Sequence, residues 1–197
     1  MAPLLTLSRL IDRMSLWLGR WLAWLVLAAV LISAANAIVR KLFDTSSNAY
    51  LEIQWYLFAA VFLLAAGYTL LRQEHVRIDV VLGRFSRRTQ VKIEIFGIVF
   101  FLLPFVVEII KLVWPLVMRA YVTQEMSSNA GGLVRWPVFA LVPVGFTLLG
   151  LQGLSELVKR VAFLQGRAPD PGKKLQAKTA EEELAEEIRR QAEGART

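Results

Sequence analysis

Residues 21–39, from Trp21 to Val39, read WLAWLVLAAVLISAANAIV without one ionisable side chain. At about 1.5 Å of rise per residue, such a run crosses a hydrocarbon core about 30 Å thick. Three more runs of the same kind follow. Ile53 to Leu71 and Trp136 to Ser155 carry no charge, and Ile95 to Met118 is long enough but contains Glu108 and Lys111. Lipid offers the backbone no hydrogen-bond partner, so each run must be helical. The expected architecture is an all-α membrane protein. A four-helix membrane domain fills residues 1–165, with spans at about 21–39, 53–71, 95–118 and 136–155, and a charged tail fills 166–197.

Composition narrows the function. Hydrophobic residues make up 56% of the 197, above the near-half share of a soluble domain, and the excess is concentrated in the four blocks. The absence of cysteine excludes disulfides, thiolate zinc sites and iron–sulfur clusters. A single histidine excludes a bis-histidine haem within one chain. No glycine-rich phosphate loop is present, so ATP-driven transport by this chain is not expected. The expectation is therefore no catalytic residue, no cofactor and no metal site. The formal net charge is +7, and the basic residues flank the apolar runs, which suits anionic lipid headgroups rather than nucleic acid.

Those basic residues also set the expected orientation. Arg9, Arg13 and Arg20 precede span one, and Arg72, Arg77, Arg84, Arg87, Arg88 and Lys92 lie between spans two and three. Lys159, Arg160 and Arg167 follow span four, whereas the opposite side carries only Arg40, Lys41, Arg119 and Arg135. By the positive-inside bias, both termini and the middle loop face the cytoplasm. Ala35-Asn36-Ala37 resembles a signal-peptidase site, but its apolar stretch is longer than a signal core, and losing span one would reverse the charge pattern, so span one is read as retained. Aromatic residues such as Trp17, Trp21, Tyr50 and Trp136 sit near span ends, where they anchor at the headgroup level.

In the middle loop, Ile78, Val81, Leu82 and Phe85 recur at i, i+3, i+4 and i+7, with Arg77, Arg84, Arg87 and Arg88 at other positions. The spacing predicts an amphipathic helix, capped by Asp79, that suits the cytoplasmic membrane surface or could equally brace a protein partner. Between Arg119 and Arg135, the stretch Glu125-Met126-Ser127-Ser128-Asn129-Ala130-Gly131-Gly132 predicts a flexible turn, and Trp136-Pro137 opens span four with proline early in the helix. Pro143 and Gly145 predict a local bend. Ala168-Pro169-Asp170-Pro171-Gly172 is a break, after which Thr179 to Glu193 reads as a short charged helix.

A charge at the bilayer centre costs about 2.5–3.5 kcal/mol on insertion scales. Glu108 and Lys111 lie three apart, share a helix face and can neutralise each other, as a pair facing another helix or a partner subunit rather than an ion pathway. Glu52 opens span two on the outer side, where solvent or a neighbour can satisfy it, and Asn36 is placed to hydrogen-bond helix to helix. Arg72, His75, Arg77 and Asp79 gather at the inner edge of span two, with no nucleophile or second base beside them.

The chain resembles the small, DctQ-type membrane subunit of tripartite ATP-independent periplasmic (TRAP) transporters. The resemblance runs from about Trp21 to Lys159 and rests on the four spans, on Glu52 opening span two, on Gly67 followed by Arg72, His75 and Ile78-Asp79, on Glu125-Met126-Ser127, and on Trp136-Pro137 leading to Pro143-Val144-Gly145. It implies a bacterial inner-membrane machine of three parts. A periplasmic substrate-binding protein captures an organic acid, a large membrane subunit carries it inward on a sodium or other ion gradient, and the small subunit braces the large one. Membrane lipids and those two proteins are the expected partners. The alternative is a self-contained homo-oligomeric channel or small carrier with Glu108 and Lys111 in its pore.

Overall fold

The computed structural model describes residues 2–43, 47–73 and 84–170. The described residues are mostly helical, with α1 (Ala2–Phe43), α2 (Asn48–Arg72), α3 (Arg87–Gly97), a π-helical turn (Ile98–Leu102), α4 (Leu103–Val122) and α5 (Trp136–Leu164). Four rods are long and apolar enough to cross a membrane, the third being the continuous run Arg87–Val122. One antiparallel bridge, Met126 with Val134, lies in the connection before α5.

The helices outrun the expected spans. α1 starts at Ala2, well before Trp21, and is 42 residues long. The third rod starts at Arg87 rather than near Ile95, because Ser86 caps it by accepting a hydrogen bond from the Thr89 backbone N–H. Most of the expected amphipathic surface helix, including Ile78, Val81 and Leu82, lies outside the described residues. Arg84 and Phe85 form a turn and bend, and Arg87 and Arg88 stand in the first turn of α3. The π-turn has a local cause. Pro104 has no N–H to give, and the Leu103 N–H bonds five residues back to the Ile98 carbonyl.

α5 is the hub, packing against α1, α2 and α4, whereas α4 packs extensively only against α5. A third of the most apolar stretch of α5 is buried, compared with 6% in α1. α2 and α5 come backbone to backbone at two glycines. A Cβ at Gly145 would come 2.7 Å from the Leu63 carbonyl oxygen, and one at Gly67 would come 3.2 Å from that of Leu148. Two glycines, one on each helix, let the backbones touch, which is how membrane helices gain packing without a hydrophobic drive between them. α5 runs unbroken through Pro143, where the Thr147 hydroxyl donates to the Pro143 carbonyl at 2.7 Å.

α5 stops by a Schellman arrangement. Gly166 adopts φ +69°, its N–H bonds the Phe163 carbonyl, and the Arg167 N–H bonds the Ala162 carbonyl, each at 2.9 Å. The expected charged helix from Thr179 to Glu193 lies outside the described residues. The bundle thus has two ends: a basic end, where the start of α1, α3 and the close of α5 meet, and a loop end, closed by residues 123–135.

Candidate functional site

The polar side chains gather in three places. The largest gathering is at the basic end, where α1 offers Ser8, Asp12 and Ser15 on one face and α5 offers Gln152, Ser155, Glu156 and Lys159. Ser15 donates to Gln152 at 2.8 Å, and Gln152 donates to Asp12 at 2.9 Å. Ser155 donates to the same carboxylate at 2.8 Å and shares a 2.7 Å hydroxyl contact with Ser8. Lys159 bridges Asp12, at 3.0 Å, and Glu156. Glu156 also pairs with Arg160, whose Nε donates to Glu94 of α3 at 2.7 Å. Arg87 extends the chain of charges, holding Asp170 through two N–H groups at 2.7 and 2.8 Å and approaching Glu94 at 3.6 Å.

The α5 core of this cluster is buried, while Asp12 and Lys159 line a groove with Leu5 and Leu71. Gln152, Ser155, Glu156 and Arg160 are at most 3% exposed. No buried side-chain nitrogen or oxygen among the described residues lacks a hydrogen-bond partner. Charges placed this deep are tolerated only when each has a partner, and here α1, α3 and α5 supply partners to one another. The cluster clamps three helices. Among the described residues no His, Asp and Glu grouping could hold a metal ion.

The second gathering closes the loop end. Glu52, in the second turn of α2, accepts from the Ser127 hydroxyl, from Asn129 Nδ2 at 2.8 Å and from the Leu133 backbone N–H at 2.6 Å. Tyr56 donates to the Val134 carbonyl and Asn48 to the Ala130 carbonyl, each at 2.9 Å. Glu125 pairs with Arg135 at 3.0 Å. The segment expected to be a flexible turn is therefore tied, because a carboxylate from α2 collects its donors. Trp136 begins α5 and meets the Tyr121 ring edge-on at 5.4 Å, with Pro137 in the first helical turn.

The third gathering is a single pair in mid-rod. Lys111 donates to Glu108 at 3.1 Å, with side chains 66% and 61% exposed. They are paired, as their spacing suggested, but no other helix among the described residues covers them. The remaining expected residues are scattered. Arg72 closes α2, donates to the Tyr68 hydroxyl at 3.1 Å and lies over its ring. Arg84 and Arg88 are exposed, while Arg87 joins the basic-end cluster. His75, Arg77 and Asp79 lie outside the described residues. Asn36 lines an open groove between α1 and α2 with Ser33, Arg40, Lys41 and Gln54, rather than bonding across to α2.

The family profile described as tripartite ATP-independent periplasmic transporters, DctQ component, matches residues 29–163, well over half of the chain. The chain belongs to the DctQ family. It is a small membrane subunit of a TRAP transporter, and the four apolar rods make it a multi-pass membrane protein. No curated protein and no solved structure matches it. The DctQ match takes in the Glu52 loop, the Glu108–Lys111 pair and the α3 and α5 parts of the basic-end cluster. Ser8, Asp12, Ser15 and Asp170 lie beyond it.

Sequence reasoning missed that cluster. By sequence alone Lys159 and Arg160 are orientation signals, and Gln152 and Ser155 belong to an uncharged run. The signal was present as two polar stripes at helical spacing: Ser8, Asp12 and Ser15 on α1, and Gln152, Ser155, Glu156 and Lys159 on α5.

Proposed function

We propose that this DctQ chain is a scaffold. It holds the large membrane subunit of its transporter level in the bilayer while that subunit imports an organic acid, delivered by a periplasmic binding protein and driven by an ion gradient. The observation that carries the reading is how the polar groups are used. At the basic end they bond one helix to another, at the loop end they bond α2 to the connection before α5, and the described residues assemble no solute or ion site. A brace needs stiffness of this kind, whereas a carrier needs broken helices and several convergent ligands at mid-depth.

In this reading the basic end faces the cytoplasm of a bacterial cell and the tied loop faces the periplasm, in line with the excess of Lys and Arg. Glu52, Glu125, Trp136 and Pro137 shape the surface offered to the binding protein. Arg72, His75, Arg77, Asp79, Arg84 and Arg88 serve the lipid and partner contacts of the cytoplasmic face, and the chain has no enzymatic role.

The alternative is a homo-oligomeric channel, favoured only by the exposure of Glu108 and Lys111. Its weakness is that the two charges cancel and sit among phenylalanine and leucine. The test is uptake of labelled organic acids by cells expressing this chain with its large subunit and binding protein. Uptake should require all three proteins. Full uptake without this chain, or saturable flux through vesicles holding it alone, would overturn the proposal.

A further inference from the structure

The Glu108–Lys111 pair is exposed at a depth where lipid would surround it. Val106 meets Gly150, Phe105 meets Phe146 and Tyr121 meets Trp136 across the antiparallel α4–α5 contact. The pair is therefore level with the apolar stretch of α5 that precedes Gln152, away from both polar ends. Ionisable groups at such depth face protein or a water-filled cavity rather than hydrocarbon.

The bonding is also incomplete. An ammonium has three donors, and Lys111 uses one, on Glu108 Oε1. The other two donors and Glu108 Oε2 have no partner among the described residues. Around the pair lies a ridge at i, i+4, i+7 and i+11. Phe101 and Leu112, 67% and 72% exposed, flank Phe105 and Glu108 on one face of the rod. α2 has an equally exposed face in Trp55, Phe58 and Phe62, at 77%, 73% and 71%, but it carries no charge and suits lipid.

We propose that the Glu108–Lys111 face of α4 is where a transmembrane helix of the large membrane subunit docks, with an uncharged polar side chain of that helix completing the ion pair. The inference rests on the scaffold reading and adds the face and its chemistry. The pair is neutral as a unit, so its complement is a hydroxyl or amide that can both donate to Glu108 and accept from Lys111. A third charge would leave the interface with a net charge in the membrane. α4 has the room, because its extensive packing is confined to α5.

The test uses the full chain co-expressed with the large subunit. A photo-crosslinking amino acid, p-benzoylphenylalanine, replaces Phe101 or Leu112 on the proposed face, or Phe58 or Phe62 on α2. Adducts with the large subunit should form from Phe101 and Leu112, with none above background from α2. In parallel, the double variant Glu108→Leu/Lys111→Leu should lower the yield of purified complex by about threefold, the scale of one polar contact between membrane helices.

If the complex purifies intact but adducts form only from α2, or equally from both faces, the docking face is wrong while the scaffold reading stands. A wild-type yield from the double variant also counts against it. Adducts between two copies of this chain would replace the partner by self-association. Failure of the large subunit to co-purify at all would remove the scaffold reading and this inference together.

Discussion

Two ion pairs, each within one helix, separate what this chain does for itself from what it leaves open. Glu156 and Arg160 stand four apart on α5, with side chains 1% and 4% exposed, whereas Glu108 and Lys111 stand three apart on α4, 61% and 66% exposed. The first pair bonds Glu94 of α3 directly and reaches Asp12 of α1 through Lys159 and Gln152, whereas the second has no further partner among the described residues. Similar chemistry on neighbouring helices therefore has opposite use. Buried charges clamp the fold, and an uncovered pair in an apolar rod marks a contact still to be made.

The contrast can be broken most strongly at Arg160. Replacing Arg160 with Leu leaves Glu156 buried and deprives Glu94 of a partner, which should cost about 3–5 kcal/mol of stability. Unfolding of the purified chain in detergent checks this, and a loss below about 1 kcal/mol would mean the cluster is not a clamp. Next comes the helix crossing. Gly145→Leu forces α5 away from the Leu63 carbonyl and should cost about 1–3 kcal/mol by overpacking in the same measurement, whereas Gly97→Ala, where nothing lies near the added carbon, should be close to neutral.

At the loop end, Glu52→Ala removes three hydrogen bonds at once. Protease should then cut residues 124–135 faster, while the melting of the helices stays near wild type. Unchanged cleavage would show that the carboxylate does not hold the loop. The smallest effect on the chain alone is expected from Glu108→Leu/Lys111→Leu, which should melt like wild type. Either single replacement should lower the level of membrane-inserted chain more than the double one, because it strands a charge. Equal losses in all three variants, read by quantitative immunoblot of membranes, would argue against pairing.

How much of this was legible in the sequence follows from the range of each signal. Apolar runs report on the neighbouring twenty residues, so the four rods could be read directly, and the i, i+3 spacing foretold the Glu108–Lys111 pair. Pairing across the fold could not be read in this way. Asp12 and Lys159 are separated by nearly the whole membrane domain, and Lys159 alone looks like a topology signal. Glu52 was placed correctly at the head of α2, but its donors come from Ser127, Asn129 and Leu133, in a loop whose glycines pointed to flexibility. The early start of the third rod turned on Ser86, a single capping residue that the arginine-rich pattern around it obscured.

The most direct measurement takes two readouts on two variants: thermal melting of the chain alone and yield of its complex with the large subunit, for Arg160→Leu and for Glu108→Leu/Lys111→Leu. The first should lower the melting temperature of the isolated chain. The second should leave melting unchanged and reduce only the complex. A Glu108→Leu/Lys111→Leu chain that melts as early as Arg160→Leu, or that assembles as fully as wild type, would contradict the division between a self-sufficient clamp and a face that awaits its partner.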